Sequence, residues 1–158
     1  MLWWDALVAV HVLAAVVGIG PTFAYHLLLH KGQEGRQLLD SLELMKTLDA
    51  FPKVAGPAAV LSGIALAAFY DYGGFRQLWL TGSLALFAAI QIIVIGAARA
   101  PSKVLYDWRE EALSQLEPAV PAGVEAAVGK LRYLFWLVHA LTVALLLLMI
   151  WKPAVPLW

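Results

Sequence analysis

LRYLFWLVHALTVALLLLMIW occupies residues 131–151. A bilayer core of about 30 Å is crossed by roughly 20 helical residues. This stretch has that length and carries no acidic residue. Three further stretches share its character, about 3–30, 54–69 and 78–98. The second is short and starts within a preceding interfacial segment. The sequence therefore predicts an all-α integral membrane protein, a four-helix bundle in one transmembrane domain, 1–158.

Composition agrees. Of 158 residues, 62% are hydrophobic and 14% charged, against roughly 45–50% and 25% in soluble domains. Mean hydropathy is +0.77. The 11 basic residues balance 11 acidic ones, so no charge excess points to nucleic acid. There is no cysteine. That excludes disulfides, iron–sulfur clusters, thiolate zinc sites and haem attached through C-x-x-C-H. The N-terminal MLWWDALVAV lacks a positive n-region, and its apolar run exceeds a signal-peptide core. It is read as the first span.

Basic residues orient the bundle. The link between spans 1 and 2 has Lys31, Arg36, Lys46 and Lys53. The link between spans 3 and 4 has Arg99, Lys103, Arg109, Lys130 and Arg132. Only Arg76 and Lys152 lie on the other side. The positive-inside rule puts both long links in the cytoplasm and both termini outside. Trp3, Trp4, Trp79, Trp136 and Trp151 sit where an aromatic belt is expected.

Within the basic links, RQLLDSLELMKTLDAF spaces Leu38, Leu42, Met45 and Leu48 as one helical face. It predicts a short amphipathic helix at the membrane interface, ended by Pro52. SKVLYDWREEALSQL predicts a second helix leaving the membrane, and Pro121 suits the first turn of the last helix. DYGGF, 71–75, reads as a tight outer turn. Ala55, Ala59, Gly63 and Ala67 give the second span a smooth packing face.

The candidate site residues are histidines. Three of the four lie in HVLAAVVGIGPTFAYHLLLH, residues 11–30; the fourth is His139. His11, Ala15, Gly18, Thr22 and His26 fall within an arc of roughly 60° at the α-helical turn. Small residues on that stripe leave room for a flat group or for close helix contact. In span 4, Arg132, His139 and Thr142 share a face. An intramembrane histidine is costly without an interior partner, which makes it a functional candidate. Depth supports a meeting: His11 lies about 12 Å and His139 about 18 Å below the outer boundary at 1.5 Å per residue. His26 and His30, spaced i and i+4, suit copper, nickel or zinc. The plain alternative is a set of neutral histidines bonded to carbonyls or to each other.

HVLAAVVGIGPTF (11–23) and LLLLMIWKP (145–153) resemble a bacterial family of four-helix integral membrane proteins, over most of the chain. The first span is also similar in style to HemJ-type protoporphyrinogen oxidases, which bind haem b, and to CopD-type copper-resistance proteins. That likeness carries to His11, and more loosely to Gly18 and Gly20. The HemJ pattern also places a lysine inside a later span; here Arg99 lies only at the end of span 3.

Together these readings predict a haem b protein with a redox or electron-transfer role. His11 and His139 would be axial ligands, Gly18 and Thr142 would line the site, and Arg132 would face a propionate. One alternative is copper handling or transport, with His11, His26 and His30 as stations. Another is a structural or assembly subunit, a homo-oligomer or part of a larger membrane complex, docked through small-residue faces.

Overall fold

The computed structural model describes residues 2–69, 76–153 and 155. The expected DYGGF turn lies outside them. The elements are α1 (Leu2–Ile19), a 3-10 segment (Gly20–Ala24), α2 (Tyr25–Leu28), α3 (Gly35–Leu48), α4 (Ala50–Phe69), α5 (Leu78–Gln91), a π-helical segment (Ile92–Ala97), α6 (Arg99–Ala112) and α7 (Ala122–Trp151). Four helical runs are long and apolar enough to cross a membrane. The protein is an all-α membrane protein.

The spans associate as two antiparallel pairs, α1 with α4 and α5 with α7. Small residues decide the first pair. A Cβ built on Gly18 would lie 3.3 Å from both the Ala55 Cβ and the Gly56 nitrogen. One built on Gly63 would lie 2.9 Å from His11 Cε1. Lipid gives helices little hydrophobic reason to associate, so close backbone approach carries the contact. The small stripe of span 1 therefore serves helix contact and leaves no slot for a flat group. In the second pair Gly82 faces Leu148. Trp79 is buried there, and belongs to the interior rather than to an outer aromatic belt.

Most of the well-packed core lies outside the hydrocarbon, at the basic end. Leu38, Leu39, Leu42 and Met45 of α3 meet Leu105, Trp108 and Ala112 of α6, with Val124, Val128 and Leu131 of α7. This corrects the expectation for α3: protein, not lipid, covers its apolar face. It also explains the length of α7. Its 30 residues extend about 45 Å at 1.5 Å per residue, and the turns before Leu131 serve this core. Pro121 is its N-cap, one residue before the first turn in which the sequence placed it. Pro52 sits in the first turn of α4, where its missing N–H costs nothing, so it starts a helix rather than ending one.

Polar ties close the basic end. Glu34 and Gln37 form a capping box at the start of α3. Arg36 donates to the carbonyls of Gln115 (3.1 Å) and Leu116 (3.0 Å) just beyond α6. Arg109 of α6 bonds Glu43 of α3. Tyr25 donates its hydroxyl to Asp49, beside the start of α4. Gly35 has to be glycine: an added Cβ would lie 1.8 Å from the Pro118 carbonyl oxygen.

Candidate metal centre

The 3-10 segment decides where the histidines point. Pro21 lacks an N–H and its ring crowds the preceding turn. The chain tightens from 3.6 to 3.0 residues per turn there, and Thr22 Oγ1 donates to the Ile19 carbonyl at 2.7 Å. Each residue of this segment turns about 20° further than in an α-helix, or about 100° over the segment. The face that starts at His11 consequently does not continue to His26.

His11 stays on the α4 side. Its Nδ1 lies 2.8 Å from the Ala59 carbonyl and 3.2 Å from Ser62 Oγ, and its ring packs on Gly63. Since a carbonyl only accepts, Nδ1 carries the proton. Ser62 itself bonds the Ala58 carbonyl at 2.6 Å.

His139 sits at the helix break. Its Nε2 lies 3.1 Å from the Thr22 carbonyl. By the same logic Nε2–H donates, and Nδ1 is left as an unprotonated lone pair. That Nδ1 is buried without a hydrogen-bond partner among the described residues, on a residue only 4% exposed. Phe23 stacks on the imidazole, centroids 4.3 Å apart at 13°. His26 meets it edge to face, 5.4 Å between centroids at 67°. The His26 Nδ1 is likewise buried and without a partner among the described residues. His26 also meets Trp136, at 4.9 Å and 39°.

The structure thus joins His139 to His26, not to His11. His11 is eleven residues before Thr22, about 16 Å along the axis at 1.5 Å per residue, whereas axial ligands of one iron stand about 4 Å apart at metal–nitrogen bonds of about 2.0 Å. The expected depth match between His11 and His139 is therefore corrected, because α7 enters the basic-end core and sets its own register. A bis-histidine haem fits neither pairing. Rings in edge-to-face contact leave no plane for a macrocycle between His26 and His139. The groove beside Phe23, lined by Ala15, Val16, Ile19, Gly20 and Leu146, measures about 200 Å³, below the 300 Å³ or so where ligand pockets begin.

The other expected residues scatter. Gly18 packs on Ala55. Thr142 is buried one turn past His139 on α7. Arg132 lies on the same helix, its Nε buried without a partner among the described residues. His30 separates from His26 because α2 ends at Leu28 and Leu29 is extended, φ −95° and ψ 101°. It is exposed and lines a cleft of about 340 Å³ at the basic end with Lys31, Gln33 and Glu125. Among the described residues no three His, Asp or Glu side chains gather to hold an ion. Phe23 and Trp136 are the site residues that sequence reasoning missed. The signal for them was Gly20–Pro21: carrying 120° per residue through 20–24 turns His26 away from the α4 face.

The model of a family described as predicted integral membrane protein (DUF2269) matches residues 5–153. The chain belongs to the DUF2269 family. Four apolar helices agree with that description. No curated protein and no solved structure matches this DUF2269 protein.

Proposed function

We propose that this protein handles a transition-metal ion, copper, inside the cytoplasmic membrane of a prokaryote, with His26 and His139 as the ligands. The observation that carries the reading is the pair of buried Nδ1 atoms, without hydrogen-bond partners among the described residues, on rings 5.4 Å apart. Leaving a buried polar atom unsatisfied costs about 1–3 kcal/mol, and a bound ion removes that cost. His139 is also prepared as a ligand. A metal-binding imidazole characteristically donates its other ring N–H to a carbonyl, which fixes its tautomer and orientation; Thr22 supplies that carbonyl. Imidazole suits copper, zinc, iron and nickel.

The arrangement points to holding or passing an ion rather than to hydrolysis. Among the described residues no Asp or Glu joins the two histidines to act as a base, and the site lies at the level of apolar helix. By the positive-inside rule the basic end is cytoplasmic. His139 then lies in the inner half of the bilayer, and His30 stands at a cytoplasmic cleft one short loop away.

The test is elemental analysis and an absorption spectrum of detergent-purified protein from copper-supplemented cells. The reading expects about one copper per chain and no Soret band. A Soret band with sharp reduced α and β bands would replace it with haem. A colourless, metal-free protein that also fails to take up copper added after purification would overturn it.

A further inference from the structure

We infer that the cleft at the basic end seats the headgroup of a zwitterionic, amine-bearing phospholipid, with its phosphate on Lys31 and Arg132 and its ammonium on Glu125. The His26–His139 pair takes no part, so this inference and the metal reading stand or fall separately.

The cleft is open and held in shape. It measures about 340 Å³, within the range of ligand sites. One wall is the loop from α2 to α3. Gly32 turns that loop at φ +75°, a conformation glycine adopts without strain. Gln33, 7% exposed, fixes it. Its Nε2 donates to the Leu28 carbonyl and to Ser41 Oγ, both at 2.9 Å, and its Oε1 accepts from the His30 N–H at 3.1 Å. The other wall is α7. Gly129 leaves that wall bare, since a Cβ built there would meet nothing within 4 Å.

Charge says what fits. Lys31 and Glu125 both line the cleft, and neither is ion-paired among the described residues. A simple anion would meet the Glu125 charge, and a simple cation would meet Lys31. A headgroup carrying both signs complements both.

Depth supplies the lipid. Arg132 comes 19 residues before Trp151, about 28 Å at 1.5 Å per residue. It therefore stands where a hydrocarbon core of about 30 Å ends, at the level of lipid phosphates. Its Nε is buried without a partner among the described residues. A guanidinium presents a rigid fork of N–H donors that matches a phosphate. At 100° per residue Glu125, Gly129, Arg132 and Trp136 fall within an arc of about 60°. From the membrane outward, this face of α7 presents Trp136, 59% exposed, then Arg132, the bare Gly129 and Glu125. A phospholipid runs from acyl chain through phosphate to ammonium in the same order. Arg132 and Glu125 are about 10 Å apart along the axis, a length that two long side chains and a headgroup cover together.

The experiment uses the full-length protein in detergent. Phosphatidylethanolamine and phosphatidylglycerol with the same acyl chains compete for it, and native mass spectrometry counts the lipid retained per chain. Soluble glycerophosphoethanolamine is a third probe, followed by calorimetry. The inference expects one tightly held phosphatidylethanolamine, favoured over phosphatidylglycerol by about two- to fivefold, the range of an exposed ion pair. Glu125→Gln should remove that preference. Arg132→Gln should weaken both lipids by about tenfold or more, since both carry the phosphate. Gly129→Leu should fill the cleft and exclude both. Phosphatidylglycerol held as well as phosphatidylethanolamine by wild type, or a preference that survives Glu125→Gln, would overturn the assignment of the headgroup. Glycerophosphoethanolamine bound as tightly as the lipid would make the ligand a soluble phosphate ester and overturn the lipid. Retention of neither lipid would overturn the site.

Discussion

Gly63→Ala tests the register of α1 on α4 through a double-mutant cycle with His11→Ala. The added methyl would lie 2.9 Å from His11 Cε1, whereas ordinary contacts begin at 3.4 Å. The ring has to move by at least 0.5 Å, the difference between those two values. It is not free to do so, because Nδ1 is held at 2.8 Å by the Ala59 carbonyl. Overpacking of this kind costs about 1–3 kcal/mol. The pivot is a side chain rather than backbone, so about 1–2 kcal/mol is expected. His11→Ala alone loses a hydrogen bond, about 0.6 and at most about 1.7 kcal/mol within a membrane, plus the imidazole's packing. In the double variant the methyl meets empty space, and Gly63→Ala should cost nearly nothing. The coupling should equal most of the single-variant cost, about 1–2 kcal/mol, where distant sites add within about 0.5 kcal/mol. The assay is thermal unfolding in detergent; 1 kcal/mol shifts the midpoint by about 2–4 °C in a chain of this size. Strict additivity would refute the α1–α4 register, and with it the statement that His11 faces α4.

Three further outcomes are expected. Gly35→Ala drives a methyl into the Pro118 carbonyl oxygen; it should destabilise the basic end by about 3 kcal/mol or more, seen as earlier proteolysis of the 113–121 link. Leu105→Ala empties a site 1% exposed in the basic-end core; it should cost about 2–5 kcal/mol in unfolding while leaving the metal-to-protein ratio unchanged. Tyr106 titrates later than an ordinary phenol, because burial first and the Asp49 charge second disfavour its anion. A raised pKa in the fold means stability present below the unfolded value of about 10 and lost as pH rises through the folded one. Alkaline unfolding should therefore be less steep in Tyr106→Phe, and absorbance at 295 nm should lose one late-titrating phenol.

The spans were legible because apolar length is a one-dimensional property, as 131–151 shows. The small faces of spans 1 and 2 were legible too, but not that each was the other's partner. Spacing marks a smooth face without naming what lies on it. The same limit applied to α3. Leu38, Leu42 and Met45 read as amphipathic whether lipid or α6 covers them, and only the fold chose α6. The histidine site was hidden by a change of period. His11 and His26 share a face at 100° per residue, and the 3-10 turn at Pro21 removes that relation. His30 was misread for a similar reason, since helix was carried past Leu28 where the backbone turns extended. His139, by contrast, stood out from sequence alone as a polar residue in mid-span, and the structure buries it.

The most direct test of the central claim is the copper-to-protein ratio of His11→Ala, His26→Ala and His139→Ala, each folded and purified beside wild type and loaded anaerobically with Cu(I). The account predicts about one copper per chain in wild type and His11→Ala, and loss of that copper in both His26→Ala and His139→Ala. Copper lost with His11 but kept without His26 would contradict it.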